Sequence, residues 1–334
     1  MDSPSTYSSP FSIEEILNTA YDGFSAAALE VFRFQYNRNL VYRQWVETLG
    51  RESYDNALLT NQPIFIPISF FKTHRLLVSD ALPEIIFTSS GTTGIQTSSH
   101  YVCRLAWYQK SFTKAFQLFY GDPADWAIIG LLPSYLERQG SSLVMMTEAL
   151  VKASQNADSG LYLYDFTGLQ TVLERREAAR QKTWLIGVTY ALLDFAHQCP
   201  MRLEYTVVLE TGGMKGRKKE ITRLEVQQDL KDAFQLGAVH SEYGMTELLS
   251  QAYSTGGGLF RCPPWMKVMV REEDDPLAIK SNGTGALCIT DLANMYSCSF
   301  IATEDIGTVY PDGTFEILGR LDNSGTRGCS LLTP

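Results

Sequence analysis

The stretch Glu84-Ile-Ile-Phe-Thr-Ser-Ser-Gly-Thr-Thr-Gly94 runs from a short apolar segment into a cluster of hydroxyl-bearing residues and glycines. Its first part, Glu84–Thr88, predicts a buried strand. In the second part, glycines let the backbone approach an anion closely, and successive N–H groups in such a turn form an anion-binding concavity. The candidate phosphate-binding residues are Thr88, Ser89, Ser90, Gly91, Thr92, Thr93 and Gly94. The chain has no G-x-x-x-x-G-K-[ST] pattern, and an ordinary polar loop is the alternative interpretation.

The segments after this loop alternate between strand and helix patterns. Apolar residues at spacings of three and four predict a helix from Leu105 to Phe119. Strands are predicted at Trp126–Leu132, Leu161–Asp165, Thr183–Ile186 and Tyr205–Leu209. Helical stretches are predicted between them, at about 141–155, 168–181 and 188–198. This alternation indicates an α/β protein with a parallel sheet covered by helices.

The two ends of the chain have a different texture. Residues 1–60 are expected to form an N-terminal helical segment packed on the body, and residues 61–320 the main domain. From about 250 to 320, short strands alternate with Gly, Asn and Asp turns, and Pro311-Asp-Gly313 indicates a hairpin. This pattern predicts a smaller antiparallel β lobe. Residues 321–334 have no periodicity and are expected to be a mobile tail.

Composition and charge exclude several classes of protein. Among 334 residues, 28 basic and 37 acidic side chains give a net charge of −9, which argues against a broad nucleic-acid surface. No apolar run approaches the roughly 18 residues of a membrane span, and the polar start lacks the features of a secretory signal. The six cysteines form no C-x-x-C pair, so reduced thiols and no zinc are expected. These observations predict a cytoplasmic protein.

Further polar segments follow predicted strands or turns. Tyr243-Gly-Met-Thr-Glu247 combines an aromatic ring, a hydroxyl and a carboxylate, and Glu210-Thr-Gly-Gly213 follows the strand Tyr205–Leu209. Sheets of this class bind ligands at the carboxyl ends of their strands. Thr303-Glu-Asp-Ile-Gly307 and Gly319-Arg-Leu-Asp322 complete the set.

These segments, in this order and spacing, resemble the adenylate-forming superfamily of acyl-CoA synthetases and related ligases, from about residue 84 onward. Within it, the chain is most similar to the acyl-protein synthetase family of bacterial bioluminescence (LuxE type). The residues that carry the finer match are Leu132–Arg138, Ser141–Val144, Tyr243–Tyr253 and Arg327–Leu331. The resemblance implies a large adenylate-forming domain with parallel sheet layers and a smaller antiparallel β lobe. It also implies that the usual small C-terminal domain is lacking.

The resemblance implies activation of a carboxylic acid, with a fatty acid as the expected class, by ATP and Mg²⁺. The loop of residues 88–94 would wrap the ATP phosphates. The adenine would lie along Glu210, Thr211, Gly212 and Gly213, with Tyr243 stacked on it beside Gly244. Thr246 would bond the α-phosphate, Glu247 would hold Mg²⁺, and Asp305 would accept from the ribose hydroxyls with Arg320 beside it. Because an anion attacks an anion, positioning and local charge neutralisation must dominate the catalysis.

Two departures from the family pattern concern lysines. Many relatives have a lysine where this chain has Gln96, and full-length acyl-CoA synthetases supply an adenylation lysine from the C-terminal domain. That lysine is either dispensable, replaced by Lys215, or supplied by a partner. The missing domain also makes CoA a doubtful acceptor of the acyl group.

The family resemblance provides another acceptor, Cys329 in Arg327-Gly-Cys-Ser330. In that family a C-terminal cysteine receives the acyl group as a thioester and passes it to a reductase partner. Arg327 would lower the pKa of the thiol, and the nine residues from Arg320 span up to about 30 Å. The other cysteines are interpreted as structural. His100 and His240 are candidates for polar contacts in the site, although a structural role is the favoured interpretation for both.

Two other functions compete with this interpretation. The first is an acyl- or aryl-CoA ligase of the phenylacetate–CoA ligase type. The second is a non-catalytic nucleotide-binding subunit, which the missing lysines would suit.

Overall fold

The computed structural model describes residues 9–50, 63–78, 82–89, 97–132, 140–212, 222–272, 275 and 277–321. The α-helices in these ranges are α1 (Ile13–Leu17), α2 (Phe24–Arg38), α3 (Leu40–Thr48), α4 (Phe70–Thr73), α5 (Leu105–Tyr120), α6 (Ser142–Ser154), α7 (Phe166–Ala178), α8 (Thr189–Gln198) and α9 (Arg223–Phe234). The strands are β1 (Ile66–Pro67), β2 (Ile85–Thr88), β3 (Ser99–Val102), β4 (Ala127–Leu131), β5 (Gly160–Leu161), β6 (Thr183–Val188), β7 (Thr206–Thr211), β8 (His240–Tyr243), β9 (Ala252–Ser254), β10 (Met266–Arg271), β11 (Ile279–Lys280), β12 (Gly283–Asp291), β13 (Phe300–Val309) and β14 (Phe315–Arg320).

The predicted parallel sheet is present, in the order β5-β4-β6-β7-β8-β9. Its first five strands run parallel, and β9 pairs antiparallel with β8. The sequence prediction was wrong for β5, which is two residues long instead of covering Leu161–Asp165. The reason is local: Asp165 accepts a hydrogen bond from Gly168 N and caps α7, so the chain turns into the helix instead of continuing as a strand.

A second sheet contains β1-β13-β12-β10-β11, with β14 also paired to β13. Strands β10 to β14 pair antiparallel, as expected for the β lobe, and Tyr310 N donates to Thr314 O across the predicted turn. The sheet also takes in a strand from outside the lobe, because β1 adds in parallel to β13, with Ile66 opposite Ile301. The buried start of β13 thus pairs with a strand from the N-terminal part of the chain.

The N-terminal helices pack on this second sheet. The rings of Phe32 and Tyr42 lie 6.2 and 6.0 Å from that of Phe300 on β13. Two fully buried amides bind backbone carbonyls there: Gln35 Nε2 donates to Met295 O at 2.9 Å, and Asn39 Nδ2 donates to Ser297 O at 2.8 Å. Helices α2 and α3 and the β lobe therefore share one apolar core.

A small two-stranded antiparallel sheet, β2–β3, lies between β1 and β4 along the chain. The connection between its strands carries the hydroxyl-rich residues. Residues 90–96 of that connection lie outside the described ranges, but both of its ends are described.

Gly307 on β13 gives a first testable prediction. A Cβ built there would lie 2.3 Å from the backbone carbonyl oxygen of Glu316, next to the register shift between Ile306 and Gly307. We expect Gly307→Ala to lower the free energy of unfolding by about 2 kcal/mol, because β14 must move away. The measurement is the urea midpoint. Gly319→Ala is the matched control on the same hairpin, since its Cβ would meet nothing within 4 Å. Equal midpoints for both variants would contradict the prediction.

Candidate functional site

The residues that the sequence singles out divide into those that the structure describes and those that it does not. Eight of the candidates lie outside the described residues, namely Ser90, Gly91, Thr92, Thr93, Gly94, Gly213, Lys215 and Cys329. The described candidates are Thr88, Ser89, Glu210, Thr211, Gly212, Tyr243, Gly244, Thr246, Glu247, Asp305 and Arg320. The latter lie at the end of β2, at or just beyond the carboxyl ends of β7 and β8, and on the β13–β14 pair.

The two ends of the hydroxyl-rich loop are held together at the base of the hairpin. Ser89 N donates to Ser98 O at 3.1 Å, and Ser98 N donates to Ser89 Oγ at 2.9 Å. On the other side, Thr88 N donates to Gly140 O at 3.0 Å. Gly140 has φ of 89°, a backbone conformation that favours glycine. The position of the loop's ends is therefore fixed by backbone hydrogen bonds.

Glu210, at the carboxyl end of β7, faces the interior. Its carboxylate accepts from Ser241 Oγ at 2.8 Å and from Thr189 Oγ1 at 3.1 Å, and its residue is 7% exposed. These bonds tie β7 to β8 and to the start of α8. The side chain of Glu210 is thus used inside the fold, Thr211 is buried as well, and the exposed residue of this segment is Gly212.

Glu242, which the sequence did not single out, lies beside this segment. It is partly buried and accepts a hydrogen bond from the Thr211 hydroxyl. Burial raises the pKa of Glu242 to about 7; the Thr211 hydrogen bond opposes this shift and the neighbouring Glu210 adds to it. The sequence offered no signal for this residue, since its partners Thr211 and Glu210 lie on β7, about thirty positions away.

The raised pKa of Glu242 gives a second prediction. The folded protein holds the proton of Glu242 more tightly than the unfolded chain does, because the pKa is raised from 4.5 to about 7. The stability that the protonated carboxyl contributes is therefore complete below pH 4.5 and is lost as the pH rises to about 7. Glu242→Gln should therefore gain about 1–2 kcal/mol over the wild type between pH 4.5 and pH 8, allowing for partial solvent screening. Urea unfolding at both pH values measures this difference. The exposed Glu148→Gln should show no such gain, and a difference that does not change with pH would refute the effect.

The fold brings together three of the candidate residues, Tyr243, Asp305 and Arg320. The Tyr243 hydroxyl donates to Asp305 Oδ2 at 2.8 Å, and Arg320 Nε lies 3.9 Å from Asp305 Oδ1. Asp305 and Arg320 are directly opposite each other on β13 and β14. Burial raises the pKa of Asp305, while the Tyr243 hydrogen bond and Arg320 oppose the shift. The ring of Tyr243 packs against Phe260 and Phe315, at 5.9 and 5.5 Å.

Glu247 is a buried carboxylate, 5% exposed, at the point where the hairpin base meets the segment after β8. Burial raises its pKa, and a hydrogen bond with Ser98, the residue that closes the hydroxyl-rich loop, opposes this shift, as do Arg320 and Lys72 at longer range. A buried carboxylate is costly unless a cation or hydrogen bonds compensate it. This position is therefore suited to a cation held between Glu247 and an anionic ligand of the loop.

In the part of the chain that the structure describes, no group of three or more His, Cys, Asp or Glu residues could form a metal cage. Over the same residues, no helix is both long and apolar enough to cross a bilayer.

The thiols of the described cysteines are not activated as nucleophiles. Burial raises the pKa of Cys103 to about 11 and those of Cys288 and Cys298 to about 12, and it also raises the pKa values of Cys199 and Cys262. Because the thiolate is the reactive form, these thiols are inert near neutral pH.

Comparison with solved structures defines the class of the fold. The chain is similar to 2-hydroxyisobutyryl-CoA ligase in complex with R3-HIB-AMP, with a TM-score of 0.63 at 11% identity, over 96% of this chain and 73% of that chain. It is also similar to ATP-bound MatB from Rhodopseudomonas palustris, with a TM-score of 0.53 at 14% identity, over 70% of this chain. The match covers 47% of MatB, about half of its length. The fold is that of the adenylate-forming enzymes.

Comparison with curated proteins narrows the similarity. No protein-family model matches the chain. It is 25% identical over 330 residues to the long-chain-fatty-acid–luciferin-component ligase of Aliivibrio fischeri, covering 90% of this chain and 85% of that protein. It is 23% identical over 327 residues to the ligase of the same name from Vibrio harveyi, covering 90% and 84%. The resemblance to acyl-protein synthetases and the prediction of an AMP-forming ligase are thereby confirmed.

Proposed function

We propose that the protein activates a carboxylic acid with ATP and then carries the acyl group on Cys329 as a thioester. A long-chain fatty acid is the expected class, because the similar ligases from Aliivibrio fischeri and Vibrio harveyi are named for it. The observation that carries the proposal is the buried Glu247 carboxylate, 5% exposed, on a backbone that Asn294 Nδ2 holds through Glu247 O at 2.8 Å beside the hairpin that carries the hydroxyl-rich loop. It brings a cation-binding group to an anion-binding loop inside an adenylate-forming fold.

The first step joins the acid to AMP. A carboxylate oxygen of the acid bonds to the α-phosphorus of ATP, the bond from that phosphorus to the bridging oxygen breaks, and pyrophosphate leaves. Thr88, Ser89 and the residues up to Gly94 would hold the phosphates, and Thr246 the α-phosphate. Mg²⁺ held by Glu247 would supply neutralisation of phosphate charge in a protein with a net charge of −9.

The remaining candidate residues would bind the nucleoside. Glu210 to Gly213 would line the adenine through their backbone, because the Glu210 side chain bonds Ser241 and Thr189. Tyr243 would lie against the base with its hydroxyl on Asp305. Asp305 would accept from the ribose hydroxyls, with Arg320 beside it. Lys215 is the candidate for the adenylation lysine.

In the second step the Cys329 thiolate attacks the acyl carbon, a sulfur–carbon bond forms, and AMP leaves with the electron pair of the broken mixed anhydride. The buried, high-pKa thiols of the five described cysteines support Cys329 as the acceptor. The thioester would then pass to a reductase partner. A cytoplasmic location would suit both the thiol and the ATP supply.

Intact-protein mass spectrometry tests both steps. The protein is incubated with ATP, Mg²⁺ and a panel of carboxylic acids, and a mass increase that matches one acid, removed by neutral hydroxylamine, is expected. Cys329→Ser should abolish the adduct and leave acid-dependent pyrophosphate exchange intact, while Cys103→Ser should keep both. An adduct that survives in Cys329→Ser would overturn the thioester. AMP release that depends on CoA would favour a CoA ligase instead, and no exchange with any acid would favour a nucleotide-binding subunit.

A further inference from the structure

His100, on strand β3 of the hairpin, is fully buried and contacts the segment that follows β8. Its Nδ1 is 2.7 Å from Thr246 O, and because a carbonyl oxygen can only accept, Nδ1 carries the hydrogen. The edge of the ring packs on Phe71, at 5.6 Å between ring centroids. The ring therefore has one position, set by β3 on one side and by the backbone of Thr246 on the other.

The second ring nitrogen, Nε2, lies 2.9 Å from Oδ1 of Asn294, which is also fully buried. The orientation of this amide is fixed, because its Nδ2 donates to Glu247 O and to Cys298 O, both at 2.8 Å. Nε2 can donate to Asn294 Oδ1 only when the ring is doubly protonated, and burial lowers the pKa of His100 to about 4, so in the neutral ring the hydrogen bond from Nδ1 to Thr246 O is the one that holds the ring. His100 and Asn294 thus hold the carbonyls of two consecutive residues, Thr246 and Glu247.

Holding two consecutive carbonyls fixes the peptide planes at Thr246 and Glu247, and hence the direction in which their side chains leave the backbone. The same strand region also acts on the side chain, since Ser98, two residues before His100, hydrogen-bonds the Glu247 carboxylate. Ser98 in turn closes the hydroxyl-rich loop with Ser89. The short segment Ser98–His100 therefore contacts the described end of the loop at Ser89, the backbone of Thr246 and the Glu247 carboxylate.

We propose that His100, with Asn294, is a positioning residue for the cation site: it holds Thr246 and Glu247 in register with the hydroxyl-rich loop so that both can act on one Mg²⁺–triphosphate unit. This inference rests on the proposed function. It assigns to His100 a role through the backbone of other residues and no contact with ATP. Loss of the hydrogen bonds from His100 and Asn294 should weaken the binding of Mg²⁺-bound ATP far more than the binding of ATP alone.

The test measures ATP binding by isothermal titration calorimetry, in EDTA and over a series of Mg²⁺ concentrations. His100→Phe keeps a ring of similar size and removes both ring nitrogens. We expect it to raise the Mg²⁺ concentration for half-maximal ATP binding about 10-fold or more, as is typical for partners of metal ligands. Binding in EDTA should stay within about 2-fold of wild type, since the nucleoside contacts are untouched. Asn294→Leu should match His100→Phe. The double variant should be no worse than either single variant, because the two residues act as one unit.

Asn39→Leu is the matched control, because it removes another buried amide that binds a nearby carbonyl, Ser297 O, without touching Thr246 or Glu247. It should destabilise the fold and leave the Mg²⁺ dependence unchanged. His100→Gln, which keeps one donor, should restore part of the Mg²⁺ affinity and serves if His100→Phe does not fold. Wild-type Mg²⁺ dependence in His100→Phe, or in Asn294→Leu if His100→Phe does not fold, or the same shift in Asn39→Leu, would overturn the positioning role alone. A wild-type protein that binds no ATP would overturn the proposed function and, with it, this inference.

Discussion

Glu247→Gln should reduce acid-dependent ATP–pyrophosphate exchange by about 100-fold or more, because it removes the buried carboxylate that is proposed to hold Mg²⁺. The fold should not weaken. Burial raises the pKa of Glu247 in the folded protein, so the wild-type protein loses stability as the pH rises and this carboxyl ionises. The neutral amide of Glu247→Gln does not ionise and avoids that loss. Exchange kinetics and urea unfolding at pH 8 measure the two effects separately.

Glu148→Gln, an exposed change on α6, is the charge-matched control and should leave exchange unaltered. Exchange by Glu247→Gln within about 5-fold of wild type would show that the carboxylate does not hold the metal. A fall in both exchange and stability would show that Glu247 supports the fold instead, through its bond with Ser98.

Trp265→Ala should produce the largest loss of stability among the changes considered for this molecule, about 4 kcal/mol. The indole is fully buried in the core, and its Nε1 donates to Ser111 Oγ at 3.1 Å and to Ser250 Oγ at 3.0 Å. The side chain therefore ties α5 to the segment that follows Glu247. Truncation would leave a cavity and deprive both hydroxyls of a donor. The urea midpoint is the measurement.

Trp265→Phe separates the two contributions to this loss. It keeps most of the buried ring and removes the N–H, and we expect it to cost about 1–2 kcal/mol. Leu118→Ala, at a side chain that is 53% exposed, should change the midpoint little. If Trp265→Ala cost no more than Leu118→Ala, the packing of α5 against the second sheet would not depend on this residue.

The sequence predicts much of the fold because its signals are local. Apolar spacing places α5 almost to the residue, and the alternation from Trp126 to Leu209 gives the order of β4, β6 and β7. Strand β8, His-Ser-Glu-Tyr, was missed because it has no apolar alternation. Its buried positions exist only because β7 and β9 lie on either side. The parallel pairing of β1 with β13 likewise depends on residues more than two hundred positions apart, which no local pattern signals.

The candidate site, like the fold, could be predicted from the sequence only in part. The grouping of Tyr243, Asp305 and Arg320 follows from motif resemblance, and the register of β13 and β14 supplies the contact between the last two. Glu242 escaped notice because its raised pKa arises from burial and not from its neighbours in sequence. The sequence favoured a structural role for His100, and its link to Thr246 could not be foreseen, because the bond joins residues 146 positions apart.

The pairing of β1 with β13 also bears on how the protein is made. Ile66 is opposite Ile301, and the Gln35 amide binds the carbonyl of Met295, so the N-terminal helices lack the part of their packing surface that Met295 to Ile301 supply until those residues have been synthesised. At about 5–20 residues per second, the ribosome needs on the order of 13–50 s to add the roughly 250 residues from the end of α3 to the start of β13. Over that interval the apolar faces of α2 and α3 are exposed on the nascent chain, where chaperones that bind such faces would act. Truncation before β13 should therefore abolish soluble expression, even though the parallel sheet is already complete.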